Sequence, residues 1–86
     1  MEIVKIGAMW CSGCLIMNKI FQEIIDERKI NIKSLDIDMD EEEVLKYEPG
    51  EVLPVYIFFK NNKEIYRMVG EHSKEEILDI LDRVDL

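Results

Sequence analysis

The chain has 86 residues, 48% of them apolar, with 11 basic and 19 acidic side chains and a formal net charge of −8 at neutral pH. A chain of this length suits one small domain, expected here over residues 1–86, which must pack well because short chains bury a smaller share of their surface. The negative balance repels phosphate backbones and anionic lipid, so neither nucleic acid nor a membrane is an expected partner. No apolar run approaches the roughly 20 residues of a membrane span. Met1 to Lys5 also lacks the charged-then-apolar plan of a secretory signal, and the expected compartment is the cytoplasm.

In chain order, Ile3-Val4-Lys5-Ile6 is a short β-branched run ending at Gly7, and a helix from about Cys11 to Arg28 follows. Within it Met17, Ile20, Phe21, Ile24 and Ile25 recur at helical spacing and give one core-facing stripe, while Arg28 and Lys29 complement the C-terminal dipole. Ile32 to Ile37 reads as a second strand. Asp40 to Tyr47 reads as a short helix with an acidic front, stopped by Pro49-Gly50. Val55 to Phe59 is the strongest strand, and Asn61-Asn62 offers the tight turn into Ile65 to Val69, predicting an antiparallel hairpin. Ser73 and Glu76 form a capping box that opens a last helix with Ile77, Ile80, Leu81 and Val84 facing inward. The order βαβαββα predicts an α/β fold.

The chemistry concentrates in Cys11-Ser12-Gly13-Cys14, which holds both cysteines at the junction of strand and helix. Two thiols at that spacing can close on each other, and a helix N-terminus favours the thiolate that attacks disulfides. The pair is too small and too close to be a secreted disulfide framework; in a reducing compartment it reads as redox or metal chemistry. In the redox reading, Cys11 attacks a partner disulfide and Cys14 resolves the mixed disulfide.

Trp10-Cys11-Ser12-Gly13-Cys14 after the first strand resembles the Trp-Cys-Gly-Pro-Cys signature of thioredoxins. Thioredoxins also carry a cis-proline about forty residues past the second cysteine, where this chain has Leu53-Pro54-Val55. Phe58 to Glu64 and Val69-Gly70 resemble the hairpin and following glycine of that fold, and the likeness runs from about Val4 to Leu81. The resemblance implies a minimal, glutaredoxin-sized thioredoxin fold, a four-stranded mixed sheet flanked by helices. It further implies a thiol-disulfide oxidoreductase that reduces protein disulfides, needs no cofactor of its own, works as a monomer on disulfide-containing client proteins and is recharged by an NADPH-dependent flavin reductase. Trp10, Leu53, Pro54 and Gly70 are then the expected substrate-binding residues. Trp10 could equally be plain packing, and Pro54 an ordinary strand-start proline.

The departures from the family pattern are specific. Ser12-Gly13 replaces Gly-Pro, exchanging a residue with fixed φ for a flexible one. Lys5 stands six residues before Cys11, where thioredoxins bury a carboxylate. A buried ammonium would stabilise a nearby thiolate, a desolvated neutral amine could act as a base, and an amine that reaches solvent would do neither. The glutathione signature of glutaredoxins is absent near Gly70.

Other readings of the same residues are weaker. Met9-Trp10-Cys11-Ser12-Gly13-Cys14 satisfies the Met-X-Cys-X-X-Cys pattern of copper chaperones, and soft thiolates hold Cu(I) well, but those proteins resemble a βαββαβ order. Zinc usually takes four ligands, and only His72 could join the cysteines. Asp36-Ile37-Asp38-Met39-Asp40 begins like a calcium loop yet has Glu41 where glycine is required.

Overall fold

The structure, a computed structural model, describes residues 2–28 and 30–84. Its elements are β1 (Glu2–Gly7), α1 (Ser12–Glu27), β2 (Asn31–Asp36), α2 (Glu41–Leu45), β3 (Val55–Lys60), β4 (Lys63–Val69) and α3 (Lys74–Val84). The strands form one mixed sheet in the order β2-β1-β3-β4, with β1 parallel to β2 and antiparallel to β3, and β4 antiparallel to β3. The element order βαβαββα is the one read from the sequence, and the four-stranded mixed sheet is the one the family resemblance implies.

Successive side chains of a strand point to opposite faces, and both faces of the central strands are covered, so β1 and β3 read as nearly continuous apolar runs. On one face Ile3, Tyr56, Phe58 and Met68 pack with Met17, Phe21 and Ile24 of α1 and with Ile77 and Leu81 of α3. Phe21 stacks on Tyr56 with ring centroids 4.2 Å apart. On the other face Val4, Ile6, Leu35, Val55 and Ile57 pack with Val44 of α2. Ile80 and Val84, expected inside, are only half-buried at the rim of α3.

Several boundaries differ from the sequence reading for physical reasons. Cys11 and Arg28 are the caps of α1 rather than its first and last turns. Arg28 has extended backbone and pairs with Asp82 of α3 at 2.9 Å instead of answering the helix dipole, and Lys29 lies outside the described residues. α2 keeps only five residues, because beyond Leu45 the chain tightens into i to i+3 hydrogen bonds and reverses at Glu48, whose φ is +49°. The stop thus precedes Pro49-Gly50. β2 begins one residue earlier than expected and β4 two earlier, since the Asn61-Asn62 turn (φ +55° and +64°) brings Lys60 and Lys63 into register and a bulge follows at Phe58/Phe59.

Two local devices set the ends of this scaffold. The capping box closes as expected: the Ser73 N–H donates to Glu76 Oε1 at 3.3 Å and the Glu76 N–H donates to Ser73 Oγ at 3.1 Å. At the other device, α1 starts so close to the end of β1 that a Cβ on Gly7 would stand 2.9 Å from Cys14 Sγ. Ser73→Ala should lower unfolding free energy in urea by about 1 kcal/mol with an unchanged slope. Gly7→Ala should cost about 1–3 kcal/mol because a buried sulfur must move, whereas Gly13→Ala, which meets the end of the Glu71 side chain, should be within about 1 kcal/mol of the parent.

Candidate active site

The sheet brings three loops together at one end: the segment from Ala8 to Cys11, the turn before Pro54 and the chain beyond β4. Ala8, Cys11 and Cys14 form a small buried cluster against which Ile37 and Leu53 pack. Cys11 is the N-cap of α1, and its Sγ accepts the backbone N–H of Cys14 at 3.2 Å. A sulfur therefore occupies a position usually taken by the oxygen of Ser, Thr, Asp or Asn, at the end of the helix where negative charge is favoured. Both cysteines are free thiols, 8% and 3% exposed, so neither is an open surface group.

The two sulfurs face different surroundings. Cys11 borders a shallow recess of about 320 Å³ together with Trp10, Gly13, Glu51, Leu53 and Glu71. Cys14 borders a separate recess of about 380 Å³ on the side of Lys5, Asn18 and Asp40. Burial, followed by the hydrogen bond with Cys11, pushes the Cys14 thiol above its ordinary range, while a backbone hydrogen bond from Ala8 and the charge of Lys5 pull it back. For Lys5 burial lowers the ammonium's pKa, and negative charge on Cys14 and Cys11 opposes the shift.

The remaining expected site residues also gather here. The Leu53–Pro54 peptide is cis, Pro54 is buried, and its carbonyl accepts the Gly70 N–H at 2.8 Å. Gly70 has φ +82°, a conformation that favours glycine. Trp10 is 68% exposed, and its indole N–H donates to Asp38 Oδ2 at 2.9 Å, tying the ring to the loop after β2. Met9 stands 87% exposed, turned outward, in contrast to the two buried sulfurs of the Met-X-Cys-X-X-Cys string. His72 is occupied elsewhere, bonding Val69 O at 3.0 Å and Glu76 Oε2 at 3.1 Å. Among the described residues no three His, Cys, Asp or Glu side chains are grouped to hold a metal ion. The Asp36 to Asp40 string is a self-capped loop: Asp36 Oδ1 accepts the N–H groups of Asp38 and Met39 at 2.8 and 3.2 Å, and Asp40 Oδ2 accepts that of Asp36 at 2.9 Å.

Four participants escape the sequence reading. Glu71 lies across Gly13, its Oε1 2.7 Å from where a Cβ would be. Glu51 stands across the same recess, and nothing in the local pattern marks either glutamate. Asn18 hydrogen-bonds the Lys5 amine, and its place one turn beyond Cys14 on α1 is the signal that could have found it. Tyr56 pairs directly across from Lys5, and its buried hydroxyl has no hydrogen-bond partner among the described residues.

Comparison with known proteins agrees with this geometry. Residues 1–83 match the family model described as Thioredoxin. A thioredoxin of Staphylococcus aureus is 30% identical over 84 residues, covering 95% of this chain and 80% of that protein. Reduced Schistosoma mansoni thioredoxin superposes with TM-score 0.83 at 26% identity, over 95% of this chain and 76% of its own. The thioredoxin of Fasciola hepatica, at 24% identity, shares the fold with TM-score 0.84, over 95% of this chain and 78% of its own. With a close cysteine pair at the start of α1, a cis Leu53–Pro54 bond whose leucine packs against that pair's cluster and a family model that spans nearly the whole chain, this protein belongs to the thioredoxin family of thiol-disulfide oxidoreductases.

Proposed function

We propose that the chain reduces disulfides in client proteins, with Cys11 as nucleophile and Cys14 as resolving thiol. The observation that carries this reading is the division of the two sulfurs. Cys11 borders the recess shared with Trp10 and Leu53, while Cys14 lies behind it with only 3% exposure. A client sulfur arriving over that recess meets Cys11 first. The Cys11 thiolate forms a bond to one client sulfur, and the other leaves as a thiolate. Cys14 then gives up its proton and attacks Cys11 Sγ, which closes the ring and releases the second client thiolate. Two electrons pass to the client and the protein ends as a disulfide.

Trp10, Leu53, Pro54 and Gly70 form the docking rim in this reading. Leu53 packs against the cluster that holds the cysteines and borders the recess beside Cys11, so an extended client segment there can add to its backbone as a short strand. The recess also carries Glu51 and Glu71 close to Cys11, which disfavours anionic glutathione disulfide relative to neutral or basic segments. The protein is then a monomer of a reducing compartment such as the cytoplasm, recharged by an NADPH-dependent flavin reductase.

Three measurements test this reading. Cys14→Ser should accumulate client proteins as dithiothreitol-sensitive mixed disulfides, and Cys11→Ser should trap none; equal trapping by both would reverse the assignment. Equilibrated against dithiothreitol and glutathione, the couple should fall near about −270 mV, whereas a value near about −120 mV would make the protein an oxidant. Glu51→Gln combined with Glu71→Gln should raise the rate with glutathione disulfide about 2- to 5-fold at low salt, with the gain fading as salt rises.

A further inference from the structure

The central strand carries a cation to the back of the cysteine pair. Ile3, Lys5 and Gly7 alternate onto the sheet face covered by α1, and in the register Lys5 lies between Ser34 of β2 and Tyr56 of β3. Cys14 and Asn18 are one turn apart on α1 and so project from the same side of the helix. The Lys5 amine donates to Asn18 Oδ1, which draws the charged end toward that side. Lys5 Cε and Cys14 Sγ converge above Gly7, standing 3.5 and 2.9 Å from the point where a Cβ on that glycine would be.

The other ionisable groups around Cys14 are committed elsewhere. Asp36 and Asp40 border the same recess, but each accepts backbone N–H bonds within the loop after β2. Tyr56 lines a second cavity of about 290 Å³ with Lys5, Asn18 and Ser34, and burial keeps its hydroxyl neutral. Cys11 is itself uncharged once it carries a client in a mixed disulfide. Among the described residues Lys5 is therefore the cation facing Cys14, and the two recesses it lines have room for water that hydrates an ammonium.

We propose that Lys5 is a positioning residue for the resolving step, its ammonium held by Asn18 so that it stabilises the Cys14 thiolate as that sulfur attacks the mixed disulfide on Cys11. The proposal rests on the reading of Cys11 and Cys14 as the redox couple. In the step, Cys14 loses its proton to water in the recess behind it, and its electron pair forms the Cys14–Cys11 bond. The bond from Cys11 to the client sulfur breaks, and the client thiolate leaves and takes a proton from water. The cysteine pair is oxidised and the client reduced, while Lys5 keeps its proton throughout. The charge at this position is thus opposite to the carboxylate that thioredoxins bury there.

An opposite charge close by lowers a thiol's pKa by about 1–3 units, and a half-buried lysine belongs at about the lower end. Intrinsic reactivity falls with basicity by a Brønsted factor of about 0.4–0.5, so removing the charge has two effects. Below the titration midpoint resolution slows about 3-fold for a one-unit rise; above it, the more basic thiolate reacts about 3-fold faster. The two pH profiles cross, which simple loosening of the site would not produce.

The test is stopped-flow reaction of the reduced protein with excess dithiobis(nitrobenzoate), in which the first nitrothiolate reports attack by Cys11. The second, in a phase independent of reagent concentration, reports resolution by Cys14. Its midpoint should rise in the order Lys5, Lys5→Gln, Lys5→Glu, with crossing profiles, and Lys5→Arg should stay near the parent. A common midpoint across the first three, or uniform slowing at every pH, overturns the role of Lys5. Failure of Lys5→Arg to hold the parental midpoint, with near-UV circular dichroism unchanged, overturns the charge-based form. Absence of any second phase in the parent instead defeats the redox-couple reading on which the proposal rests.

Discussion

The whole site depends on one hydrogen bond, the Cys14 N–H donated to Cys11 Sγ at the start of α1. In the proposed reaction a reactant thus serves as a helix cap, and the sulfur that would change covalent state also satisfies a backbone donor that would otherwise be orphaned. A thiolate accepts such a bond more strongly than a thiol, and this couples helix stability to the charge on the sulfur. The coupling holds only because α1 begins within one short turn of β1, with the Cys11 N–H bonded back to Ala8 O at 3.2 Å. Gly7 completes the constraint, leaving no side chain between strand and sulfur.

Packing explains why the chemistry lies at this end of the sheet. Ile3, Val4, Ile6 and Gly7 are buried, so β1 is covered over most of its length, and the cysteine pair follows directly where its C-terminal end passes into α1. The helices that cover it contribute differently. α1 and α3 supply the larger core and are laced by pairs such as Lys74 to Glu27 at 2.9 Å, exposed contacts of modest worth. The five-residue α2 contributes mainly Val44, and its preceding loop holds Asp38 against Trp10. The surface near the couple is therefore organised from both faces of the sheet.

Most of the fold is legible in the residues because it rests on short-range rules. The apolar stripe of α1, the Asn61-Asn62 turn and the Ser73/Glu76 box each specify local geometry that the structure keeps. The ends of β2 and α2 are less legible, since tertiary register and a reversal at Glu48 override the pattern. In the site, the cysteines and Pro54 announce themselves, whereas their neighbours do not. Strand alternation places Lys5 on the same face as Gly7, but only the register reveals Tyr56 and Ser34 beside it. Glu71 reaches Gly13 across 58 positions of chain, a contact that no local pattern encodes. Arg28 shows the reverse error: a cation at a helix end is drawn to Asp82 rather than to the dipole.

The contact between Glu71 and Gly13 has a consequence for how stiff the cysteine loop is. In the thioredoxin signature a proline ring restrains the dipeptide from within, through its own covalent geometry. Here no ring restrains it, and what lies over the glycine is the exposed Glu71 side chain, its Oε1 2.7 Å from where a Cβ would be. In the proposed reaction a client segment laid over this recess meets that glutamate before it meets the glycine, so docking acts on the turn through an exposed, displaceable side chain.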